Sequence, residues 1–124
     1  GNREKQVALI RTIKELNELY AWVSRAEAAG RGFIITGDDV YLKNIEESRR
    51  NVKEDLGELR VLMATAPDQL RTLEYLSGLI DGEFKWLEER IEAHRAKGFD
   101  TVKEMMLSNQ RRTLTNQIAV AIKR

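Results

Sequence analysis

The 124-residue sequence has no cysteine and one proline, and only 6% of its residues are aromatic. The lack of cysteine excludes a disulfide framework and thiolate metal sites. Few aromatic residues and a single proline, together with 33% charged residues, are typical of long solvated helices rather than of a β-sandwich or barrel. The length suits one domain with one hydrophobic core, so residues 1–124 are expected to form a single domain.

A strong charge imbalance and a long apolar run are also lacking. The net charge is +1, and acidic and basic residues are interspersed. Because no basic stripe is visible, we expect no nucleic-acid partner. No apolar run approaches the roughly 18 residues of a membrane span. The first helical pattern begins without a convincing cap, and the apolar period still runs at Ile122. We therefore expect a segment of a longer chain whose first and last helices continue outward.

Apolar residues with heptad spacing predict four long helices. Helix 1 is expected to extend to about Thr36, helix 2 from about Asp39 to Ala64, and helix 3 from about Pro67 to Lys97. Helix 4 is expected to follow a cap at Asp100, with a weak stretch at 108–110 where it could kink or break. The seam of helix 1 consists of Leu9, Ile13, Leu16, Tyr20, Val23, Glu27, Gly30 and Ile34. The seam of helix 3 consists of Leu73, Leu76, Ile80, Phe84, Leu87 and Ile91.

The glycine-containing stretch "EAAGRGFIITGDD" (27–39) lies between the first two patterns. A strand at 33–36 is rejected because no other run alternates with a period of two, which would leave the strand unpaired. A phosphate loop is rejected because no Gly-Lys-Ser/Thr is present and no strand precedes the glycines. The stretch is therefore predicted to be the end of helix 1, with Gly37 as its left-handed C-terminal residue and Asp38 as the cap of helix 2.

Three short turns joining four long helices predict an all-α, up-down-up-down four-helix bundle. In this arrangement both ends of the chain lie at one end of the bundle. The turns near residues 36–39 and 97–100 lie at the other end.

The same stretch resembles the signature of the CHASE domain family, third class. That signature, Glu-x-x-x-Arg-Gly-Tyr/Phe-hydrophobic-hydrophobic-Thr-Gly-Asp, is similar to the segment from Glu27 to Asp38. The later "HRAKGFDTVKEMM" and "LTNQI" resemble the second half of the family. Asn109 and Arg111 stand where glycines are common. The signature residues that become candidates are Glu27, Arg31, Gly32, Thr36, Gly37 and Asp38.

The resemblance implies an extracytoplasmic, periplasmic sensory domain located between two transmembrane helices of a bacterial signalling protein. The full-length protein is then expected to be a histidine kinase whose output enzyme lies outside these residues, so this domain itself is expected not to be an enzyme. If helices 1 and 4 continue into the membrane, the working protein should be a parallel homodimer that responds to an unidentified small-molecule or protein cue.

Two charged residues, Glu27 and Arg49, fall on the apolar seams of helices 1 and 2. Counted from the turn at 37–38, they lie at nearly the same height, ~16–17 Å away. The same distance from the 97–100 turn reaches Leu87-Glu88 on helix 3 and residues 109–111 on helix 4, so Asn109 or Arg111 could join that layer. Arg31 lies one helical turn from Glu27. Two interpretations stay open: a polar ligand pocket, or a structural ion pair that sets helix register. In either case we expect Glu27 to be buried and to accept hydrogen bonds from Arg49, Arg31 or both.

No catalytic residue, metal ligand or cofactor is predicted. His94 is the single histidine, and a metal would need carboxylates alone as further ligands. No close carboxylate cluster is evident, and the acidic residues are interpreted as solvated helix faces. Two other functions stay open: a structural or adaptor bundle that binds a partner helix, and the input domain of a chemoreceptor.

Overall fold

The computed structural model describes the backbone of residues 1–97, 99–106 and 109–123, and the side chains of residues 1–96, 103–106 and 115–123. These residues form an all-α fold, as predicted. The helices described are α1 (Asn2–Thr36), α2 (Val40–Leu62), α3 (Pro67–Lys97), α4 (Phe99–Met106) and α5 (Asn109–Lys123). No helix of this described part combines the length and the apolar content needed to cross a membrane.

The region of the predicted fourth helix is described as two helices, α4 and α5. Helix α4 ends at Met106 and α5 begins at Asn109; residues 107 and 108, the second of which belongs to the stretch expected to be weak, lie outside the described residues. Both α4 and α5 pack against α3 and α1.

Helices α1 and α2 form an antiparallel hairpin that turns at Gly37. Residues 33–36 are helical rather than extended, which confirms the prediction for this stretch. Gly37 has φ 69°, the left-handed conformation that glycine adopts without strain. Its N–H donates a hydrogen bond to the carbonyl oxygen of Phe33 at 2.6 Å. This bond satisfies one of the last carbonyl groups of α1 and ends the helix.

Two side chains next to Gly37 complete the turn. The Thr36 hydroxyl donates to the carbonyl oxygen of Gly32 at 2.7 Å and accepts from the Asp38 N–H at 3.1 Å. The Asp38 carboxylate accepts from the N–H of Val40, the first residue of α2, at 3.0 Å. The N-cap residue of α2 is Asp39, one residue after the predicted Asp38, whose carboxylate nevertheless accepts from the first N–H of the helix; Thr36, Gly37 and Asp38 together fix the reversal of the chain.

Two glycines of α1 permit close packing beside this turn. A Cβ atom on Gly32 would overlap the ring of Tyr41 in α2, 2.7 Å from its Cδ1. A Cβ atom on Gly30 would lie 2.7 Å from Cδ2 of Leu87 in α3. Both distances are shorter than van der Waals contact, so these glycines let α1 approach both neighbours more closely than an alanine would.

The core is continuous along α3 but covers only part of α1. All six predicted seam residues of α3 are buried. On α1, Val23 and Ile34 are buried, whereas Leu9, Ile13 and Tyr20 are 58%, 50% and 40% exposed. The expectation of one buried seam along the whole of helix 1 is therefore wrong for its N-terminal half, which the described helices leave uncovered.

The close approach at Gly32 generates the first testable prediction. Gly32→Ala should lower the free energy of unfolding by roughly 1–2 kcal/mol, because overpacking against Tyr41 outweighs the ~1 kcal/mol gained in helix propensity. In a Tyr41→Ala background the same change should be stabilising. Chemical denaturation of the four variants measures the coupling.

Gly78 provides the matched control for that experiment. It lies in α3, it is exposed, and a Cβ atom there would meet nothing within 4 Å. Gly78→Ala should therefore stabilise by up to ~1 kcal/mol in either background. Equal effects of Gly32→Ala with and without the Tyr41 ring would contradict the steric explanation.

Candidate functional site

Glu27 lies inside the fold and is 6% exposed, as expected from its seam position. Its Oε2 atom accepts a hydrogen bond from the hydroxyl of Thr115 in α5, and the oxygen atoms are 2.6 Å apart. A short hydrogen bond to a carboxylate is stronger than one between neutral groups. The contact ties the middle of α1 to α5 across 88 residues of sequence.

The prediction that Arg49 donates a hydrogen bond to Glu27 is wrong. The Arg49 guanidinium pairs with Glu88 of α3 and with Glu46 of its own helix, the latter at 3.4 Å. It also lies 4.8 Å from the ring centroid of Phe84. The height estimate placed Arg49 and Glu88 in one layer, and their ion pair agrees with that estimate. However, Arg49 faces α3 from the surface, with 36% of its side chain exposed, and does not reach the buried carboxylate.

The other polar-layer candidates do not assemble around Glu27 in the described side chains. Arg31 is exposed, and no hydrogen bond or ion pair joins it to Glu27, although both side chains are described. The side chains of Asn109 and Arg111 lie outside the described residues. In the described side chains, Glu27 therefore forms a buried contact with Thr115, and Arg49 forms a separate surface contact with Glu88.

The aromatic residue of the signature anchors α1 to α3. Phe33 is buried, and its ring meets the imidazole of His94 edge to face, with centroids 5.3 Å apart and planes at 63°. The guanidinium of Arg95 lies 5.8 Å from the same ring centroid. His94 therefore packs on an aromatic ring, three residues before α3 ends at Lys97.

A cluster of carboxylates lies between α1 and α2 on the other side of Glu27 from the turn. Oxygen atoms of Glu15, Glu18 and Asp55 all lie within 4.8 Å of one another. Glu18 is exposed, Glu15 is half-buried, and Asp55 is 5% exposed. The expectation that no close carboxylate cluster exists is therefore wrong, and Asp55 does not belong to a solvated face.

The protonation of Asp55 depends on this cluster. Burial, as the largest cause, and the neighbouring carboxyl groups of Glu18 and Glu15 together raise the pKa of Asp55 from its ordinary 3.8 to about 7. Burial disfavours the charged form, and two neighbouring carboxylates repel a third. Near neutral pH, the pocket between α1 and α2 therefore holds a carboxyl group that is close to its titration midpoint.

A second periodic row could have revealed the cluster from the sequence. Glu15, Leu19, Trp22, Ala26, Ala29 and Phe33 follow a 4-3-4-3-4 spacing beside the assigned seam of α1. In α2, Ser48, Val52, Asp55 and Leu59 are spaced 4-3-4 and are all buried. Each helix therefore buries two rows of side chains, because each is covered by more than one neighbour.

The fold and this site define a class of small all-helical domains built on a long hairpin, with polar contacts inside the helix packing. The family model described as the CHASE3 domain matches residues 5–124. The chain belongs to the CHASE3 domain family.

A solved structure shares the fold. The crystal structure of the Rhodopseudomonas palustris histidine kinase HK9 sensor domain superposes with a TM-score of 0.83 at 21% sequence identity. The match covers 91% of this chain and 88% of that chain. No curated protein matches this sequence.

The Glu27 contact generates the second prediction. Thr115→Val keeps the side-chain shape but removes the donor, and should lower the free energy of unfolding by roughly 1.5–3 kcal/mol, the usual range for a hydrogen bond to a charged group. Thermal or urea unfolding measures the loss. Thr12→Val is the control, because the Thr12 hydroxyl donates only to the carbonyl of Ala8 within α1.

The corrected position of Arg49 can be tested in the same series. Arg49→Met removes an exposed ion pair and should cost about 1 kcal/mol or less. Its effect should add to that of Thr115→Val, since the two contacts share no partner. A coupling energy well above ~0.5 kcal/mol would mean that Arg49 acts on Glu27 after all.

Asp55 generates the third prediction, a pH dependence. The folded chain retains a proton between pH 4 and 7 that the unfolded chain releases, so this carboxyl group makes folding less favourable as pH rises through that window. Asp55→Asn should therefore be nearly neutral at pH 4 and increasingly stabilising toward pH 8. Unfolding curves of both proteins from pH 4 to 8 give the difference, and a constant difference would contradict a raised pKa.

Proposed function

We propose that this domain is the extracytoplasmic signal-input domain of a membrane-bound bacterial histidine kinase. The observation that carries the proposal is the match of the CHASE3 family model to residues 5–124, nearly the whole chain. The fold shared with the HK9 sensor domain agrees with it. In this role the domain relays a cue to its flanking helices and leaves catalysis to the output domain of the full-length protein.

The proposed relay uses an up-down-up-down bundle in which α4 and α5 together take the place of the fourth helix. Residues from the beginning of α1, the end of α2, the beginning of α3 and the end of α5 line one groove of about 610 Å³. Lys5 and Lys123 are among them, so the two ends of the described chain lie near one another. This placement supports the proposal that α1 and α5 lead toward the membrane from the same side.

We propose further that two copies associate in parallel through the N-terminal half of α1. Val7, Leu9, Ile10 and Ile13 are each at least 50% exposed, although all are large apolar residues. Leu9, Ile13, Leu16 and Tyr20 have the 4-3-4 spacing of a coiled-coil seam. A second copy of α1 would cover this surface, and flanking membrane helices would bring the two copies together.

For the signature segment we propose a structural role. Thr36, Gly37 and Asp38 form the turn, and Gly32 leaves room for the ring of Tyr41. Phe33 packs on His94, and Glu27 accepts a hydrogen bond from Thr115. These contacts join α1 to α2, α3 and α5 at one end of the domain, where a cue that displaces any of them would also displace α1. The cue itself is a small molecule or protein of unidentified chemistry.

The fourth prediction tests the relay geometry by cysteine crosslinking in the full-length receptor in membranes. Single cysteines at Leu9 and Ile13 should form disulfide-linked dimers rapidly, since equivalent residues of a parallel seam face each other. Lys14→Cys is the control, because this residue is exposed but lies about 100° around the helix from Ile13.

Two outcomes of that experiment would contradict the proposal. Crosslinking of Lys14→Cys as fast as Ile13→Cys would show that α1 is not the dimer contact. Crosslinking only between Leu9→Cys and Tyr20→Cys partners would indicate an antiparallel pair. The sequence that flanks the domain distinguishes the sensor from the adaptor bundle. If neither flank contains a transmembrane segment, an adaptor bundle that binds a partner helix is favoured.

A further inference from the structure

The carboxylate cluster between α1 and α2 has no part in the proposed relay and needs an explanation of its own. Glu15 and Glu18 are three residues apart on α1, which places both on one helix face. Asp55 of α2 faces them, and one oxygen of each side chain lies within 4.8 Å of the other two. Three like charges at this separation repel one another strongly unless a proton or a cation lies among them.

The most buried of these side chains has no partner to neutralise it. Asp55 is 95% buried by accessible area, and its Oδ2 atom has no hydrogen-bond donor. The Oε2 atom of Glu15 is also buried without a donor. Among the described residues, no lysine or arginine pairs with any of the three carboxylates. A buried carboxylate without a donor is costly, so a proton or a cation that neutralises it would stabilise the fold.

The surrounding charges also leave the cluster acidic. On α1 the groups that act on Asp55 are Glu18 and Glu15, and both favour a neutral or cation-bound site. Arg11, one turn before Glu15 on α1, pairs instead with Glu58 at 3.4 Å, and Glu58 follows Asp55 by about one turn of α2. In the described part of α1 and α2, no lysine or arginine forms an ion pair with these three carboxylates.

We propose that Glu15, Glu18 and Asp55 bind a hard divalent cation, Ca²⁺ or Mg²⁺, between α1 and α2. Carboxylate oxygens are the ligands these ions prefer, at about 2.0–2.6 Å, and one ion can touch oxygens that lie up to ~4.8 Å apart. Water molecules complete the coordination, and they reach the ion past the exposed side chain of Glu18. The bound ion neutralises the buried Asp55 and crosslinks the two helices ~27–33 Å from the Gly37 turn.

Proton competition gives this site a distinctive pH dependence. Metal binding requires deprotonated ligands, and the raised pKa of Asp55, about 7, means that a proton occupies the site below neutral pH. The apparent affinity for the cation should therefore fall roughly tenfold between pH 8 and pH 6. A carboxylate cluster on a solvated surface would show almost no change in this range.

The experiment uses the 124-residue domain after treatment with a chelator. Unfolding is followed at pH 8 and pH 6 with Ca²⁺ alone and with Mg²⁺ alone, each titrated to several millimolar, and calorimetry gives the dissociation constant. At pH 8 the Tm should rise by several degrees with one of the cations, with one ion bound per chain. At pH 6 the half-saturating concentration should be roughly ten times higher.

Three variants assign that effect to the cluster. Asp55→Asn and Glu18→Gln should each abolish the cation-dependent rise in Tm; the second lies at the exposed rim and leaves the core intact. Glu54→Gln, an exposed carboxylate next to Asp55, removes the same charge and should leave the rise unchanged. No cation-dependent shift at pH 8, or an equal shift in Asp55→Asn and Glu54→Gln, would overturn the proposal. Stabilisation of the wild type by acid alone, with neither cation effective, would overturn it in favour of a shared proton.

Discussion

The left-handed turn at Gly37 sets the register on which the other contacts of this domain depend. It ends a 35-residue helix at one residue, and the hydrogen bonds of Thr36 and Asp38 start the next helix three residues later. Because both helices are rigid, this one reversal determines which residues of α2 face α1 along the whole hairpin. Gly32 meets Tyr41 near the turn, and Arg11 meets Glu58 far from it. A glycine in this position is required by its φ of 69°, not by a shortage of space, since a Cβ atom there would meet nothing within 4 Å.

Within that register, the interior tolerates polar groups in two different ways. Glu27 is buried against a hydroxyl donor that a distant helix supplies, and such a contact contributes to stability as long as both groups are present. Asp55 is buried against other carboxylates, which makes its ionised form unfavourable. The first arrangement fixes the position of α5 on α1. The burial of Asp55 among carboxylates makes the stability of the α1–α2 contact depend on a proton or cation that neutralises them. Arg49 belongs to neither type, since its pair with Glu88 is solvated and contributes little.

Local features of the sequence predicted more of this structure than long-range ones. The α3 seam and the Gly37 turn were predictable because apolar periodicity and a left-handed glycine are properties of neighbouring residues. The burial of Glu27 followed from its seam position. Its partner did not, because counting residues from a turn gives height along a helix but not direction around it. Arg49 therefore shares a layer with Glu27 yet points to α3. The carboxylate cluster was missed because each acidic residue was assigned to its own helix, whereas the cluster exists only between two helices. A second buried row, such as the one containing Val52, Asp55 and Leu59, carries that information.

The two halves of α1 differ in how they are held, and this difference matters for the proposed relay. Near the turn, α1 is fixed by Tyr41 against Gly32, by Phe33 on His94 and by Glu27 with Thr115, so α2, α3 and α5 all constrain it. Toward its beginning, the apolar residues Leu9 and Ile13 are exposed. A helix held tightly at one end and loosely at the other transmits a displacement of the held end as a rotation or shift of the free end, provided that the helix does not bend. No proline interrupts α1. Its free half is also where the carboxylates of Glu15 and Glu18 face α2, so a cation or proton bound there would change how firmly that half is attached.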